Sequence, residues 1–226
     1  MGNVKGLFDS FKEFIWDIIG YLLPGSFLLI LLSITVDERN LYYSYFTDDQ
    51  HNLFLYVFVV ISYLLGYVIY GIGLLKEQLF RKMKWGSYED TIETDISQKE
   101  IFKQCLRIYI AREKVKNVQV SGDLTLRELR TNVMSFVPEA DQKIYTFRSR
   151  SDLANHIGNI SVLYGIFGVI CWILNLLFDC EIVFTDAKFV FLYFILILSY
   201  YILRSTRNRF YDIAMRLPLS IYMAKA

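Results

Sequence analysis

The chain has 226 residues, of which 54% are apolar, with 24 Lys and Arg against 23 Asp and Glu, three Cys and two His. These totals exclude collagen-like, disordered and disulfide-scaffold proteins, and a net charge of +1 argues against a dedicated nucleic-acid binder. Every acidic and basic residue lies outside four apolar segments, 18–36, 53–75, 157–178 and 189–203. A hydrocarbon slab about 30 Å thick demands such segments of about 20 helical residues. The sequence therefore predicts an all-α, polytopic membrane protein with four transmembrane helices.

Lys and Arg are unevenly distributed between the two sides that four spans would create. All but Arg39 and Lys188 lie before the first span, between spans two and three, or after the fourth. Because cytoplasmic segments retain positive charge, we predict that these three segments and both termini are cytoplasmic. The predicted organisation is an N-terminal segment at 1–17, a transmembrane hairpin at 18–75, a cytoplasmic segment at 76–156, a second hairpin at 157–203 and a tail at 204–226.

Two of the spans are irregular. Pro24-Gly25 interrupts the first span and removes a backbone donor, which predicts a kink that a neighbouring helix must cover. The fourth span, 189–203, is shorter than the slab at a rise of about 1.5 Å per residue. We expect Lys188 and Arg204 to extend it by directing their charges toward the interfaces.

Small residues mark helix-packing faces in the second and third spans. They are Ser62 and Gly66 in the second span, and Gly158, Ser161, Gly165 and Gly168 along one face of the third. Helices in lipid associate through close packing at such positions. Packing within one four-helix bundle and packing between subunits are both consistent with this pattern.

The cytoplasmic segment between spans two and three has the pattern of a helical insertion. Ser97 and Thr125 each precede a Glu by three positions and an apolar stripe, which predicts two capping boxes. Residues 118–122 predict a turn between the two helices. Pro138 suits a first helical turn, and the helical pattern continues from there through Phe178, so a single long helix should enter the third span.

Four polar residues stand where that helix meets the membrane. Arg148, Asp152 and His156 follow at intervals of four, and Asn159 lies one turn further on. This arrangement is typical of a vestibule or a proton-sensitive gate. It is equally typical of an interfacial salt bridge with a snorkelling Arg, and we favour that structural interpretation.

The sequence carries no pattern of an active site. His51 and His156 are predicted on opposite sides of the membrane, and there is no Gly-rich phosphate loop, G-x-S-x-G elbow or Cys-x-x-Cys pair. We therefore expect no enzyme, no metal and no cofactor. Basic residues of the insertion are diluted by acids, so we expect no nucleic-acid partner. The three Cys are predicted at different depths, which predicts free thiols.

Two short segments carry a resemblance to a known family. DIIGYLLPG at 17–25 and SYLLGY at 62–67 resemble segments of small four-span bacterial proteins of antiphage defence, of which the membrane subunit of the Kiwa system is the nearest type. The resemblance implies a homo-oligomeric inner-membrane subunit that docks a cytoplasmic effector and responds to infection. It implies no catalytic residue.

The leading hypothesis is an oligomeric four-span protein that anchors and regulates a cytoplasmic partner in phage defence. It is motivated by the small-residue seam, the helical insertion, the missing active site and the resemblance. The alternative is a pore-forming or ion-conducting effector, with Asp152, His156 and Asn159 lining its mouth. The expected partners are the lipid bilayer, further copies of the chain and a cytoplasmic protein.

Overall fold

The computed structural model describes residues 2–36, 51–83, 88–115, 122–178 and 187–226. These residues form seven α-helices: α1 Gly2–Val36, α2 His51–Lys82, α3 Tyr88–Gln98, α4 Glu100–Val115, α5 Leu126–Met134, α6 Asp141–Phe178 and α7 Ala187–Lys225, with a 3-10 turn at Pro138–Ala140. No β-strand occurs within these ranges. The predicted all-α class is confirmed for this part of the chain.

Four of the helices are long and apolar enough to cross a membrane. Their apolar stretches are Phe14–Ser33, Leu55–Lys82, Lys143–Phe178 and Ala187–Lys225. Apolar side chains on them are widely exposed, with Leu55 at 62% and Leu177 at 69%. Water disfavours such surfaces and lipid does not, so a multi-pass membrane protein fits the structure.

Some predictions fall outside the described residues. These are the structure of the predicted outer segments at 37–50 and 179–186, the state of Cys180, and most of the turn predicted at 118–122.

The chain divides into two compact units. Unit 1 comprises Met1–Asp9, Glu77–Ser151 and Asn208–Ala226. Its core contains the fully buried side chains of Ile96, Leu129, Val133, Leu219 and Tyr222. Unit 1 thus combines the insertion with the N-terminal residues and the end of α7, whereas the sequence suggested only a tail after residue 203.

The two predicted capping boxes have different outcomes. Thr125 caps α5, since its side chain accepts from the backbone N–H of Glu128, whose carboxylate accepts from the N–H of Thr125 at 2.8 Å. The box predicted at Ser97 is wrong. Ser97 lies inside α3 and donates its hydroxyl to the carbonyl oxygen of Glu93 at 2.7 Å. Helix α4 begins instead after Lys99, whose carbonyl accepts from the N–H of Phe102.

Unit 2 comprises Ser10–Lys76 and Asp152–Arg207. Tyr193 is the most completely buried member of its apolar core, and Leu31 and Tyr164 also belong to it. The Tyr164 hydroxyl donates to the carbonyl oxygen of Leu31 at 2.6 Å and so ties α6 to α1. Helix α1 continues through the buried Pro24.

Helix α6 is continuous through the third span, as predicted, and helix α7 is longer than the predicted fourth span. Helix α6 runs unbroken from Asp141 to Phe178, as predicted for the helix that follows Pro138. Helix α7 extends well beyond the predicted fourth span. Both flanking cations of that span are exposed, and each contacts an aromatic ring: Lys188 lies over Phe189 and Arg204 over Tyr200.

Candidate functional site: a polar cluster at the ends of the apolar segments

Helices α1 and α2 approach each other at two glycines. A Cβ at Gly25 would collide with the backbone carbonyl of Ser62, and a Cβ at Gly66 would collide with the backbone of Tyr21. Ser62 is fully buried. The predicted packing residues Ser62 and Gly66 therefore pack α2 against α1 of the same chain.

Tyrosine rings surround this approach. Tyr21 of α1 stacks on Tyr67 of α2 with centroids 4.0 Å apart, and meets Tyr63 and Tyr70 edge-on at 6.0 and 5.8 Å. The hydroxyls of Tyr63 and Tyr67 lie 3.1 Å apart, and one donates to the other. Aromatic pairs of this kind add about 0.5–1.5 kcal/mol beyond burial. We call these four tyrosines together with Gly25, Ser62 and Gly66 the tyrosine crossing.

The small residues of α6 face α7 of the same chain. A Cβ at Gly165 would lie 2.8 Å from the carbonyl oxygen of Tyr193, and one at Gly168 would enter the Tyr193 ring. Gly158 is likewise covered by side chains of α7, and Ser161 is buried. Of the two interpretations of this seam, the contacts support packing within one chain. The glycines of the seam are therefore covered by α7 of the same chain.

His156 lies at the start of the apolar segment 157–178, yet only 6% of it is exposed. Its ring meets Tyr70 edge-on with centroids 5.5 Å apart. A Cβ at Gly73 would lie 3.6 Å from the imidazole Nδ1, so the glycine leaves this edge of the ring without a covering side chain. Nδ1 is buried and has no hydrogen-bond partner among the described residues. Such orphaned atoms are rare, and this one retains the capacity for a further hydrogen bond.

Two cationic side chains accompany the imidazole. Lys76 Nζ donates to Asn159 Oδ1 at 2.7 Å, which joins α2 to α6 one turn beyond His156. Arg207 of α7 is only 9% exposed, and it and Lys76 lie within electrostatic range of His156. We call Tyr70, Lys76, His156, Asn159 and Arg207 the span-end cluster.

Two of the four predicted vestibule residues belong to the cluster as defined here by its contacts. His156 and Asn159 do, and the structure groups them with Lys76 and Arg207, which the sequence analysis did not single out. Arg148 is exposed and belongs to unit 1, whereas Asp152 is half-buried and is the first residue of the second segment of unit 2.

Unit 1 contains a separate polar site centred on Glu93. Arg127 Nε donates to both carboxylate oxygens of Glu93, at 2.9 and 2.8 Å, and the Tyr211 hydroxyl donates to Oε1 at 2.7 Å. The hydrogen bond to Glu93 raises the pKa of Arg127 above its ordinary value. This site joins α3, α5 and the end of α7, which explains how the C-terminal segment is held in unit 1.

A second arginine of unit 1 is placed differently. Arg130 Nε is buried and has no hydrogen-bond partner within the described part of the chain. Burial lowers the pKa of Arg130, and the nearby positive charge of Arg148 lowers it further. Arg148 therefore faces a like charge in unit 1.

A surface groove of about 630 Å³ opens beside Glu93. Its walls carry carboxylates and hydroxyls, including Asp90, Thr94 and Asp123, and its apolar lining includes Phe102 and Leu124. Two of its carboxylates already pair within the chain, Asp90 with Arg81 at 3.7 Å and Glu93 with Arg127 at 2.8 Å, so the groove offers a mixed polar and apolar surface.

Cysteine chemistry and metal binding have little support in the described residues. Cys105 and Cys171 are buried free thiols, as predicted. Burial raises the pKa of Cys105 to about 11, so this thiol is protonated and unreactive at neutral pH. No group of three or more His, Cys, Asp or Glu in the described ranges is placed to hold a metal ion.

Comparison with known proteins gives no relative. No protein-family model, no curated protein and no solved structure matches the chain.

Proposed function

We propose that the chain is an oligomeric inner-membrane subunit that anchors and regulates a cytoplasmic effector in bacterial antiphage defence. The observation that carries the anchoring role is the pairing of four apolar helices with unit 1, a helical unit that has its own core. The excess of Lys and Arg in the segments that form unit 1 supports a cytoplasmic position. The defence role and the homo-oligomer come from the resemblance at 17–25 and 62–67.

The groove beside Glu93 is where we expect the effector to dock. A photo-crosslinking amino acid at Thr94, which is exposed on the groove wall, should capture a second protein in native membranes. The same amino acid at Ser220, exposed elsewhere in unit 1, is the matched control and should capture less. In cells without the chain, the captured protein should leave the membrane fraction. Equal capture at both positions, or an unchanged membrane fraction, contradicts the proposal.

Two further measurements test the oligomer and the defence role. Mass measurement of the intact complex should give more than one copy of the chain. Cells that express the chain with its captured partner should form fewer plaques than cells that express either alone. One copy per complex, or equal plaque numbers, contradicts the corresponding part of the proposal.

The alternative function is a pore, and the span-end cluster is the observation that favours it, because buried polar residues at the end of a span often line an ion path. Purified protein in dye-loaded liposomes distinguishes the two functions. Leakage by the protein alone supports the pore, and sealed liposomes support the anchor.

A further inference from the structure

We propose that a basic side chain of the docked effector pairs with Asp90 on the groove wall and, to do so, displaces Arg81 of the same chain. Arg81 is then an autoinhibitory contact, because it occupies in the free protein the carboxylate that the effector uses. The inference rests on the proposed docking of an effector in the groove. It adds the chemistry of the partner and the residue that regulates its binding.

Asp90 belongs to the groove and to an ion pair at the same time. It lines the groove beside Glu93, and its Oδ1 lies 3.7 Å from Nη2 of Arg81, near the end of α2. A second guanidinium, that of Arg127, lies 3.9 Å from the same oxygen. The structure thus places guanidinium groups of its own chain against this carboxylate, and a cationic group of another protein would suit it in the same way.

The ion pair between Arg81 and Asp90 is loose enough to be exchanged. Its distance exceeds that of a hydrogen bond, and both side chains are half-exposed. Exposed pairs of this kind contribute little to stability. Glu93 is the contrast, since Arg127 and Tyr211 donate to it at 2.7 to 2.9 Å and only 15% of its side chain is exposed. A docked partner can therefore replace Arg81 at Asp90 while Glu93 continues to hold α3, α5 and α7 together.

The apolar part of the groove suits the stem of a basic side chain. Phe102, Leu106 and Leu124 line the same groove as Asp90. Long basic side chains lay their aliphatic stems along apolar surface and keep the charged group in a polar environment. One arginine or lysine of the effector can therefore use both the apolar lining and the carboxylate.

Two substitutions with opposite expected effects test the inference in the cross-linking experiment at Thr94. Arg81→Gln removes the competitor and should raise the yield of captured effector about threefold, the factor expected for the loss of an exposed ion pair. Asp90→Asn removes the carboxylate that the effector uses and should lower the yield. If the pair were purely structural, both variants would change the yield in the same direction, because either substitution breaks the pair.

Lys82→Gln and the double variant are the controls. Lys82 is exposed beside Arg81 at the end of α2, so its neutralisation removes the same charge and should leave the yield unchanged. Once Asp90 is neutral, Arg81 has nothing to compete for. Arg81→Gln combined with Asp90→Asn should therefore capture no more effector than Asp90→Asn alone.

The outcomes separate this inference from the proposed function. Capture that Arg81→Gln leaves unchanged or lowers, or that Lys82→Gln raises to the same extent, overturns the inference and leaves docking in the groove standing. Absence of capture at Thr94 in the otherwise wild-type chain contradicts the proposed function, and the inference falls with it.

Discussion

Glu93 accepts hydrogen bonds from Arg127 and Tyr211, two residues distant from it in sequence, and its side chain is only 15% exposed. Loss of its charge leaves both donors with a weaker acceptor. We therefore expect Glu93→Gln to lower the free energy of unfolding by about 1.5–3 kcal/mol. Denaturant unfolding in detergent micelles, followed by circular dichroism, measures this change.

Asp95→Asn is the control for Glu93→Gln. Asp95 lies in the same helix and pairs with Lys99 at 2.5 Å, but both side chains are exposed. Exposed pairs of this type contribute about 0.5 kcal/mol or less. Equal destabilisation by the two substitutions would show that the Glu93 site is no stronger than a surface ion pair.

Thr125 gives a second prediction for a single residue. Thr125→Ala removes the hydroxyl of the capping box and should destabilise unit 1 by about 1 kcal/mol. Thr131→Ala is the control, because the Thr131 hydroxyl donates only to the carbonyl of Arg127 within the same helix. Thermal melts of the two variants should differ, with the lower melting temperature in Thr125→Ala.

The same cap predicts a pH dependence. Hydrogen bonds from Thr125 lower the pKa of Glu128 below its ordinary value of 4.5 in the folded protein. A carboxyl with a lowered folded-state pKa stabilises the protein above that ordinary value, and the contribution is lost as the pH falls through the folded-state pKa. The difference between the wild type and Thr125→Ala should therefore shrink in melts recorded below pH 4.5. A constant difference would contradict this account.

At the scale of the helices, the tyrosine crossing joins the two segments that carry the family resemblance. Tyr21 and Gly25 come from the first segment, and Ser62 and Gly66 come from the second. The two segments, distant in sequence, therefore meet in one interface within the chain.

Gly66→Ala tests the closeness of that contact. The new Cβ would collide with the backbone of Tyr21, so α1 and α2 must move apart, at a cost of about 1–3 kcal/mol. Gly71→Ala, in the same helix, meets nothing within 4 Å and should be neutral or slightly stabilising. Melting temperatures in micelles compare the two variants, and equal values would show that the helices separate without cost.

Gly165→Leu tests whether the α6 seam packs within the chain. Because a Cβ at Gly165 already meets Tyr193 and Ile197 of α7, a leucine there should disrupt unit 2 itself. Size-exclusion chromatography with light scattering should then show aggregated or unfolded protein. Folded monomers released from an oligomer would contradict the intrachain packing.

Helix ends were predictable only where local sequence decides them. Thr125 caps α5 because its own side chain reaches the first turn. Ser97 matches the same pattern but is used inside α3, where its hydroxyl bonds to the carbonyl four residues earlier. The end of α7 did carry a signal, since Tyr211, Met215, Leu219 and Tyr222 recur at helical spacing. Pro218, a residue that usually ends helices, lies inside that stripe.

At the scale of the whole molecule, the four apolar helices followed from the segregation of charge, because the length and hydropathy of a span are properties of contiguous sequence. The span-end cluster did not follow. His156 and Asn159 were identified by their spacing in one helix, whereas Lys76 bonds to Asn159 from α2 and Arg207 lies within electrostatic range of His156 from α7. The only signal in the sequence was that each of these bases stands close to the end of an apolar segment.

Orientation is tested by cysteine labelling in a background without the native cysteines. Val115→Cys, at a position 85% exposed at the end of α4, should react with a membrane-impermeant maleimide only after the cells are permeabilised. Lys188→Cys, exposed at the start of α7, is the matched site on the predicted outer side and should react in intact cells. Labelling of Val115→Cys in intact cells would reverse the proposed topology.

Both the insertion and the end of α7 contribute residues to the core of unit 1, and this has a consequence for biosynthesis. Leu219 and Tyr222 stand near the end of α7, the last of the four apolar helices, yet they complete a core to which the insertion, translated much earlier, also contributes. The apolar core residues of the insertion therefore stay exposed until the end of α7 has been translated. A chaperone that recognises such faces should bind the ribosome-held intermediate and release the finished polypeptide.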